Sequence, residues 1–305
     1  MTDKRKARLA RVLQYAAIYL LLTCLAYVIV YPVFGRVLYS FMTEADLNDD
    51  TVHLFTKHFT LDNYRQAIQY MDYGTALLKS LLNLALYSLL QVASVTLTAY
   101  GLARFRFPGR GLLFLIALLT LIIPPFILST PLYFQFRGIT LFGLFPSGLL
   151  NTRLPLALMC ATGLGLKSGL LMFILRQYFA GFPKELEEAA SIDGAGALRT
   201  FWRVAVPGAR TMLVTVFLFS LVWQWTDSFY LSIFEPTEDY LQTVITKVYD
   251  MVKASTATGT GAVDVIGQSL INNAALLLFI APLLLVFLFG QRYFIESVER
   301  SGIVG

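Results

Sequence analysis

Charged side chains are scarce in this sequence of 305 residues: Asp, Glu, Lys and Arg together make up 14%, against about a quarter in an ordinary soluble domain. Cysteine and histidine are scarcer still, with two of each. Two thiols cannot staple a secreted module, and Cys24 and Cys160 both sit within long apolar runs, where a thiol reads as a small hydrophobe. His53 and His58 lie five apart, without the helical spacing of a zinc pair, so no metal site is expected. The sequence also lacks a Gly-rich phosphate loop ending in Gly-Lys-Ser or Gly-Lys-Thr, and it has no strand-turn-helix elbow around a nucleophile. ATP binding and nucleophilic catalysis are therefore not expected of this chain.

What is abundant is apolar: 57% of residues are hydrophobic and the mean hydropathy is +0.65. A chain of this size buries about three quarters of its surface on folding, so the excess must face lipid. Crossing about 30 Å of hydrocarbon takes about 20 apolar residues at 1.5 Å each. Six runs qualify, at about Val12–Phe34, Ala76–Tyr100, Gly111–Leu132, Leu154–Tyr178, Thr211–Ile233 and Ile271–Phe289. The stretch from Gly111 to Ile123 has Thr120 as its one polar side chain, so it lacks the polar stripe of a helix buried in a soluble core. The first run follows a basic leader, residues 1–11, but is longer than the apolar core of a cleaved signal peptide and is expected to be retained. The reading is an all-α integral membrane protein, with residues 12–305 forming one domain of six transmembrane helices.

Basic residues set the orientation. With the N-terminus inside, about fifteen Lys and Arg fall on the cytoplasmic side and about eight outside. Both termini are then cytoplasmic. Two long external segments follow, about residues 40–75 and 234–270, and these are expected to be partly ordered loops without a span. The net charge of +5 and the pI near 9.1 are explained by basic cytoplasmic loops rather than by nucleic-acid binding.

The strongest local signal lies between the fourth and fifth runs, in the loop 181–207. Pro183 suits the first position of a helix, and Glu185, Glu187 and Glu188 favour the positive end of its dipole. Leu186, Ala189, Ala190 and Asp193 share one narrow face of small side chains. Gly194 is placed to end the helix in a left-handed conformation. A second helical stretch, with Leu198, Phe201, Trp202 and Ala205 at helical spacing, runs to Pro207. A helix lying on lipid headgroups would carry Lys or Arg on its polar face; this one carries glutamates.

Glu188-Ala189-Ala190, three residues, Gly194, nine residues, then Val204, Ala205, Val206 and Pro207 resembles the EAA loop of the membrane subunits of binding-protein-dependent ABC importers. The family prefers Ile at the position of Val204 and Leu at that of Val206. Nearly the whole chain is similar to the carbohydrate-uptake branch, in particular the smaller membrane subunit of maltose-type transporters. The matching features are six apolar runs, a basic N-terminus, Arg104 and Pro108 in a first cytoplasmic loop, and Trp223-Gln224-Trp225-Thr226-Asp227. The C-terminal Ser301-Gly302-Ile303-Val304-Gly305 resembles that branch's short Gly-ended tail only loosely.

The resemblance implies the type I importer permease fold in a bacterial or archaeal cytoplasmic membrane. It implies as partners a homologous second permease, two ABC ATPase subunits that carry ATP and Mg, and an extracytoplasmic solute-binding protein, with no cofactor on this chain. It assigns ATPase coupling to Glu188, Ala189, Ala190, Asp193, Gly194 and Pro207. Segment 234–270 corresponds in position to a loop that probes the binding protein.

The solute path is less constrained. Lys167, midway along the fourth run, costs about 2.5 to 3.5 kcal/mol at the bilayer centre unless it reaches water or a partner. It either faces a solute cavity, or snorkels, or pairs with Asp227. Trp223, Gln224, Trp225, Asp227 and Tyr230 form a second polar and aromatic group, readable as a sugar-stacking wall or as interfacial anchors. Rival readings are an ABC importer for a polyamine or phosphonate, and an ion-coupled transporter or membrane enzyme.

Overall fold

A computed structural model describes residues 2–52, 55–140, 143, 148–257 and 265–302. His53, the glycine-threonine stretch from 258 and the last three residues lie outside them. Every regular element among the described residues is helical. In chain order they are α1 Thr2–Tyr39, α2 Glu44–Leu47, α3 Asp62–Tyr70, α4 Tyr73–Arg104, α5 Arg110–Ile122, α6 Pro125–Gly138, α7 Leu154–Ala161 and α8 Ser168–Gly181. They continue with α9 Lys184–Ile192, α10 Ala197–Thr200, a π-helical turn Phe201–Ala205, α11 Val206–Gly208, α12 Arg210–Thr226, α13 Phe229–Phe234, α14 Leu241–Ala257 and α15 Val265–Gly302.

Three of the described helices are long and apolar enough to cross a bilayer unaided: Arg11–Tyr39, Tyr73–Arg104 and Gly267–Gln291. Two bent pairs raise the number to five, α5 with α6 and the Ala197–Gly208 segment with α12. The expected run Gly111–Leu132 is thus not one straight helix. Ile123-Pro124 interrupts it, and α5 and α6 meet at 107°. Pro124 has no N–H to donate and disfavours helix in the residue before it; Ile123 is accordingly extended at φ −73°, ψ 117°. The expected run Leu154–Tyr178 is also divided, into α7 and α8 around Thr162–Lys167. Gly163 and Gly165 supply the break that hydropathy alone conceals. The run Thr211–Ile233 stops at Thr226, with Asp227 extended before α13.

The chain divides into two compact units. One comprises Met1–Tyr73 and Lys247–Ile280. In it the apolar side chains of α1 from Val12 to Phe34 are exposed, as a helix that meets lipid or another chain requires. The segment after α1 is ordered by polar contacts: Asn63 donates to the carbonyls of Ser40 and Met42, and Arg36 donates to Asn273 Oδ1 at 2.9 Å. Asp46, buried, accepts from Thr56 Oγ1, from the His58 backbone N–H at 2.8 Å, and pairs with His58 Nδ1 at 2.8 Å.

The other unit comprises Gly74–Thr246 and Ala281–Gly305. Its first core joins Val95, Ala99 and Tyr100 of α4 to Leu171, Leu175 and Phe179 of α8, and to Phe201, Ala205 and Val216. Its second gathers Tyr87, Phe136, Leu156, Met159, Cys160, Tyr230, Phe234 and Tyr240. Each large side chain so buried contributes about 1.5 to 3 kcal/mol when the alternative is water.

Candidate coupling loop and solute cleft

The 181–207 segment takes the form that its residues suggest. Pro183 stands one place earlier than expected, at the N-cap with φ −55° and ψ 124°, so α9 opens at Lys184 with Glu185 and Glu187 in its first turn. The helix closes at Gly194, whose φ is +77°. The Gly194 N–H reaches the Ser191 carbonyl at 3.0 Å and the Ala195 N–H reaches the Ala190 carbonyl at 2.9 Å, the paired bonds of a Schellman cap. No atom lies within 4 Å of where a Gly194 side chain would stand, so the requirement for glycine is set by the backbone and not by crowding.

Beyond the elbow, Phe201 and Ala205 enter the first core. Leu198 and Trp202, expected on the same face, are exposed. A π-helical turn follows, in which the Val206 N–H bonds to the Phe201 carbonyl, five residues back, so regular helical spacing is not kept beyond it. Pro207 follows in the first turn of α11, exposed. Glu188, Ala189 and Asp193 are also exposed, Ala190 is half-buried, and Leu186 and Ile192 point to the exterior. Ile192 is 87% exposed.

A residue outside the segment holds it. Arg104 is the last residue of α4 rather than part of the loop after it. Its Nη2 donates to the Phe182 carbonyl at 2.5 Å, its Nε lies 3.1 Å from Glu187 Oε1, and its guanidinium lies over the Phe182 ring. The Tyr178 hydroxyl adds a bond to the Gly208 carbonyl at 2.8 Å. Tyr100 packs edge-on against Phe179 and tilted against Phe201, with centroids at 5.4 and 5.0 Å. The loop is therefore fastened at both ends to α4 and α8, leaving α9 free to meet another body.

The second group of expected residues is split. Lys167, Trp223 and Asp227 share an open cleft of about 380 Å³ with Pro125, Phe126, Leu166, Thr226, Phe229 and Tyr230. A larger hollow of about 710 Å³ adjoins it and shares Pro125, Leu166, Lys167 and Tyr230. Lys167 is not in mid-helix. It caps α8 at φ +56°, a left-handed conformation that costs a non-glycine residue about 1 to 3 kcal/mol, and its side chain is exposed in the cleft. Among the described residues no ion pair joins it to Asp227. Asp227 is almost fully buried, and its Oδ1 accepts the Tyr230 N–H at 3.2 Å.

Gln224 and Trp225 turn away from the cleft. On a helix, consecutive residues point about 100° apart, so a run of five side chains cannot share one wall. Trp223 is half-buried and stacks on Phe219, Trp225 is fully buried, and Gln224 donates to Gln91 Oε1 at 3.3 Å and to Cys160 Sγ at 3.4 Å. Gln91 itself was not anticipated. An amide in the apolar run 76–100 was the available signal, because a buried amide must find partners.

Residues 95–300 match the family model described as binding-protein-dependent transport system inner membrane component. The diacetylchitobiose uptake system permease protein NgcG of Streptomyces coelicolor is 30% identical, over 94% of this chain and 89% of its own. The sn-glycerol-3-phosphate transport system permease protein UgpE of Yersinia pestis is 29% identical, over 75% of this chain and 74% of its own. A chain from the crystal structure of a bacterial ABC transporter that imports the acidic polysaccharide alginate superposes with a TM-score of 0.72 at 20% identity, covering 93% of this chain and 98% of that one.

Proposed function

Because the chain belongs to the family of binding-protein-dependent transport system inner membrane components, we propose that it is a permease subunit forming part of the translocation path for a sugar or oligosaccharide. The observation that carries the coupling assignment is the 181–207 segment: a helix with its outer face free, a glycine elbow at φ +77°, and a core-anchored return. In this reading Glu188 makes a charged contact to an ABC ATPase, Ala189 and Ala190 allow close approach, Asp193 and Gly194 set the elbow, and Pro207 ends the unit. ATP and Mg reside on two ATPase subunits, in keeping with the lack of a Walker-type sequence in this chain. A homologous second permease completes the path, and an extracytoplasmic binding protein delivers the solute.

In the membrane the chain forms six spans, with both termini and the 181–207 segment cytoplasmic. The α7–break–α8 stretch supplies the fourth span, which helix length alone does not count. Lys167, Trp223 and Asp227 form this subunit's wall of the path, while Gln224 and Trp225 support it from behind. A sugar suits the wall: aromatic faces for its C–H surface and an ammonium for its hydroxyls. The uptake systems named for two of the relatives support a polyol or sugar solute.

Mass spectrometry of what co-purifies with the chain from native membranes in mild detergent tests the assignment. Recovery of a second permease and an ATPase is the expected result. Recovery of the chain alone, still active, would sink it in favour of an ion-coupled transporter or membrane enzyme. A cognate binding protein that holds a polyamine or phosphonate would retain the importer and replace the sugar.

A further inference from the structure

Lys167 occupies a left-handed conformation that is uncommon for a lysine, and the residues on either side of it bond to one buried amide. Gln91, on α4, has no exposed surface. Its Nε2 donates to the Leu166 carbonyl at 2.6 Å and to Ser168 Oγ at 2.8 Å, the residues on either side of Lys167. Its Oε1 accepts from Ser220 Oγ at 2.6 Å and from Gln224 Nε2 at 3.3 Å, both on α12. Both donors and both acceptor positions of the amide are thus in use. A side chain at position 165 would bring its Cβ within 3.2 Å of Gln91 Nε2 and 3.0 Å of Cys160 Sγ, so Gly165 is what lets the amide reach the chain. Thr162–Lys167 is consequently not slack: one glutamine ties it to two helices.

We propose that Gln91 is a positioning residue for solute passage, fixing the Leu166–Ser168 backbone so that the Lys167 ammonium is presented into the cleft at a set angle to Trp223 and Asp227. The inference rests on reading that cleft as part of the path. It goes beyond that reading in assigning the placement of the cation to an amide that no solute touches, through α12, the helix that bears the opposite wall. A fully bonded buried amide suits this task because each of its four bonds has a defined direction, whereas apolar packing would tolerate rotation of the break. Shared anchoring also means that movement of α12 in the transport cycle pulls on the Lys167 turn.

The test uses the assembled transporter reconstituted in vesicles and needs no knowledge of the solute. With Cys24→Ser removing the exposed native thiol, Lys167→Cys is titrated with a membrane-impermeant methanethiosulfonate reagent, nucleotide-free and trapped with ATP and vanadate. Thr226→Cys, on the facing wall, serves as control. Gln91→Leu should change the modification rate at position 167 by about fivefold or more and leave position 226 within about twofold, a local effect that general loosening would not give. Ser220→Ala and Gln91→Asn should give the same sign with smaller size, and they decide the matter if Gln91→Leu fails to assemble. Rates at position 167 that ignore all three substitutions would overturn the positioning role. Rates that respond to them but are identical in the two nucleotide states would instead remove the cleft from the path, so the two failures are distinguishable.

Discussion

Arg104 Nε lies 3.1 Å from Glu187 Oε1, joining the end of α4 to the first turn of α9. Both side chains are largely shielded, at 8% and 18% exposure, so this pair is not a screened surface contact. The same guanidinium bonds to the Phe182 carbonyl and thereby fixes the entry to α9 twice over. Any force that reaches α9 therefore arrives at α4 through a short, shielded ion pair.

Arg104→Met should strand the Glu187 carboxylate and the Phe182 carbonyl, at a cost of about 2 to 4 kcal/mol. Arg104→Lys keeps the charge but loses the fork and should recover only part of it. Thermal unfolding of the purified assembly measures the stability, and ATP hydrolysis per solute transported measures the coupling. Unchanged values in both would show that the link transmits nothing.

Gly194→Val should abolish uptake while leaving membrane insertion intact. At φ +77° a β-branched side chain is strained whatever space surrounds it, and here space is open, so the penalty is purely conformational. Gly194→Asn, tolerant of left-handed backbone, should retain a substantial fraction of activity. Equal activity of the valine and asparagine variants would dispose of the elbow. Glu188→Lys, exposed and without effect on the fold, should raise basal ATP hydrolysis or weaken ATPase retention during purification, and normal coupling would count against the contact.

The extent to which this fold was legible varies with the physics of each part. Apolar runs gave α1, α4 and α15, since a helix of that length leaves a direct hydropathy record. The Gly194 cap was readable because one residue type answers one backbone requirement. The bend at Pro124 and the break before Ser168 were not read, because hydropathy sums across Ile123-Pro124 and Gly163–Lys167 without registering dihedral angles. Lys167 was identified for its charge in an apolar run, but its unusual backbone was invisible. Gln224 and Trp225 were grouped with Trp223 by adjacency, which helical rotation dissolves. The partnerships of Arg104 with Glu187 and of Gln91 with Leu166 span 83 and 75 residues, beyond any local pattern.

The chain after α13 returns to α4 through contacts of unequal worth, two of which can be ranked. Glu235, 1% exposed, accepts from the Tyr87 hydroxyl at 2.6 Å and from the Tyr240 hydroxyl. Lys79 and Glu238 pair at 2.8 Å but are 36% and 40% exposed. Tyr87→Phe should cost about 1 to 3 kcal/mol, since it removes a donor from a buried carboxylate. Lys79→Ala should cost clearly less, because an exposed pair is screened by solvent. Thermal shifts of the two variants compared side by side would reverse this ranking only if the segment were held by its surface charges.

The segment after α1 should loosen in acid through Asp46. Hydrogen bonds from Thr56 and from the His58 backbone and ring hold its carboxyl down at about 2, below the ordinary 3.8 and against the opposing effect of its burial. A group depressed in the folded state contributes stability that is whole above its unfolded value and drains away as the pH falls through the folded one. The Asp46 contribution is therefore complete at pH 5 and above, declines below about 4, and is largely gone near 2. Pepsin cleavage between residues 43 and 61 should accordingly rise between pH 4 and pH 2 in the wild type. Asp46→Asn cannot accept equally at both oxygens and should be cleaved faster at pH 4, with a smaller rise between the two pH values, what remains coming from Asp49, whose carboxyl Lys57 and Thr51 also hold low. A wild-type rise no larger than that of the variant would mean that the clasp on Thr56 and His58 does not form.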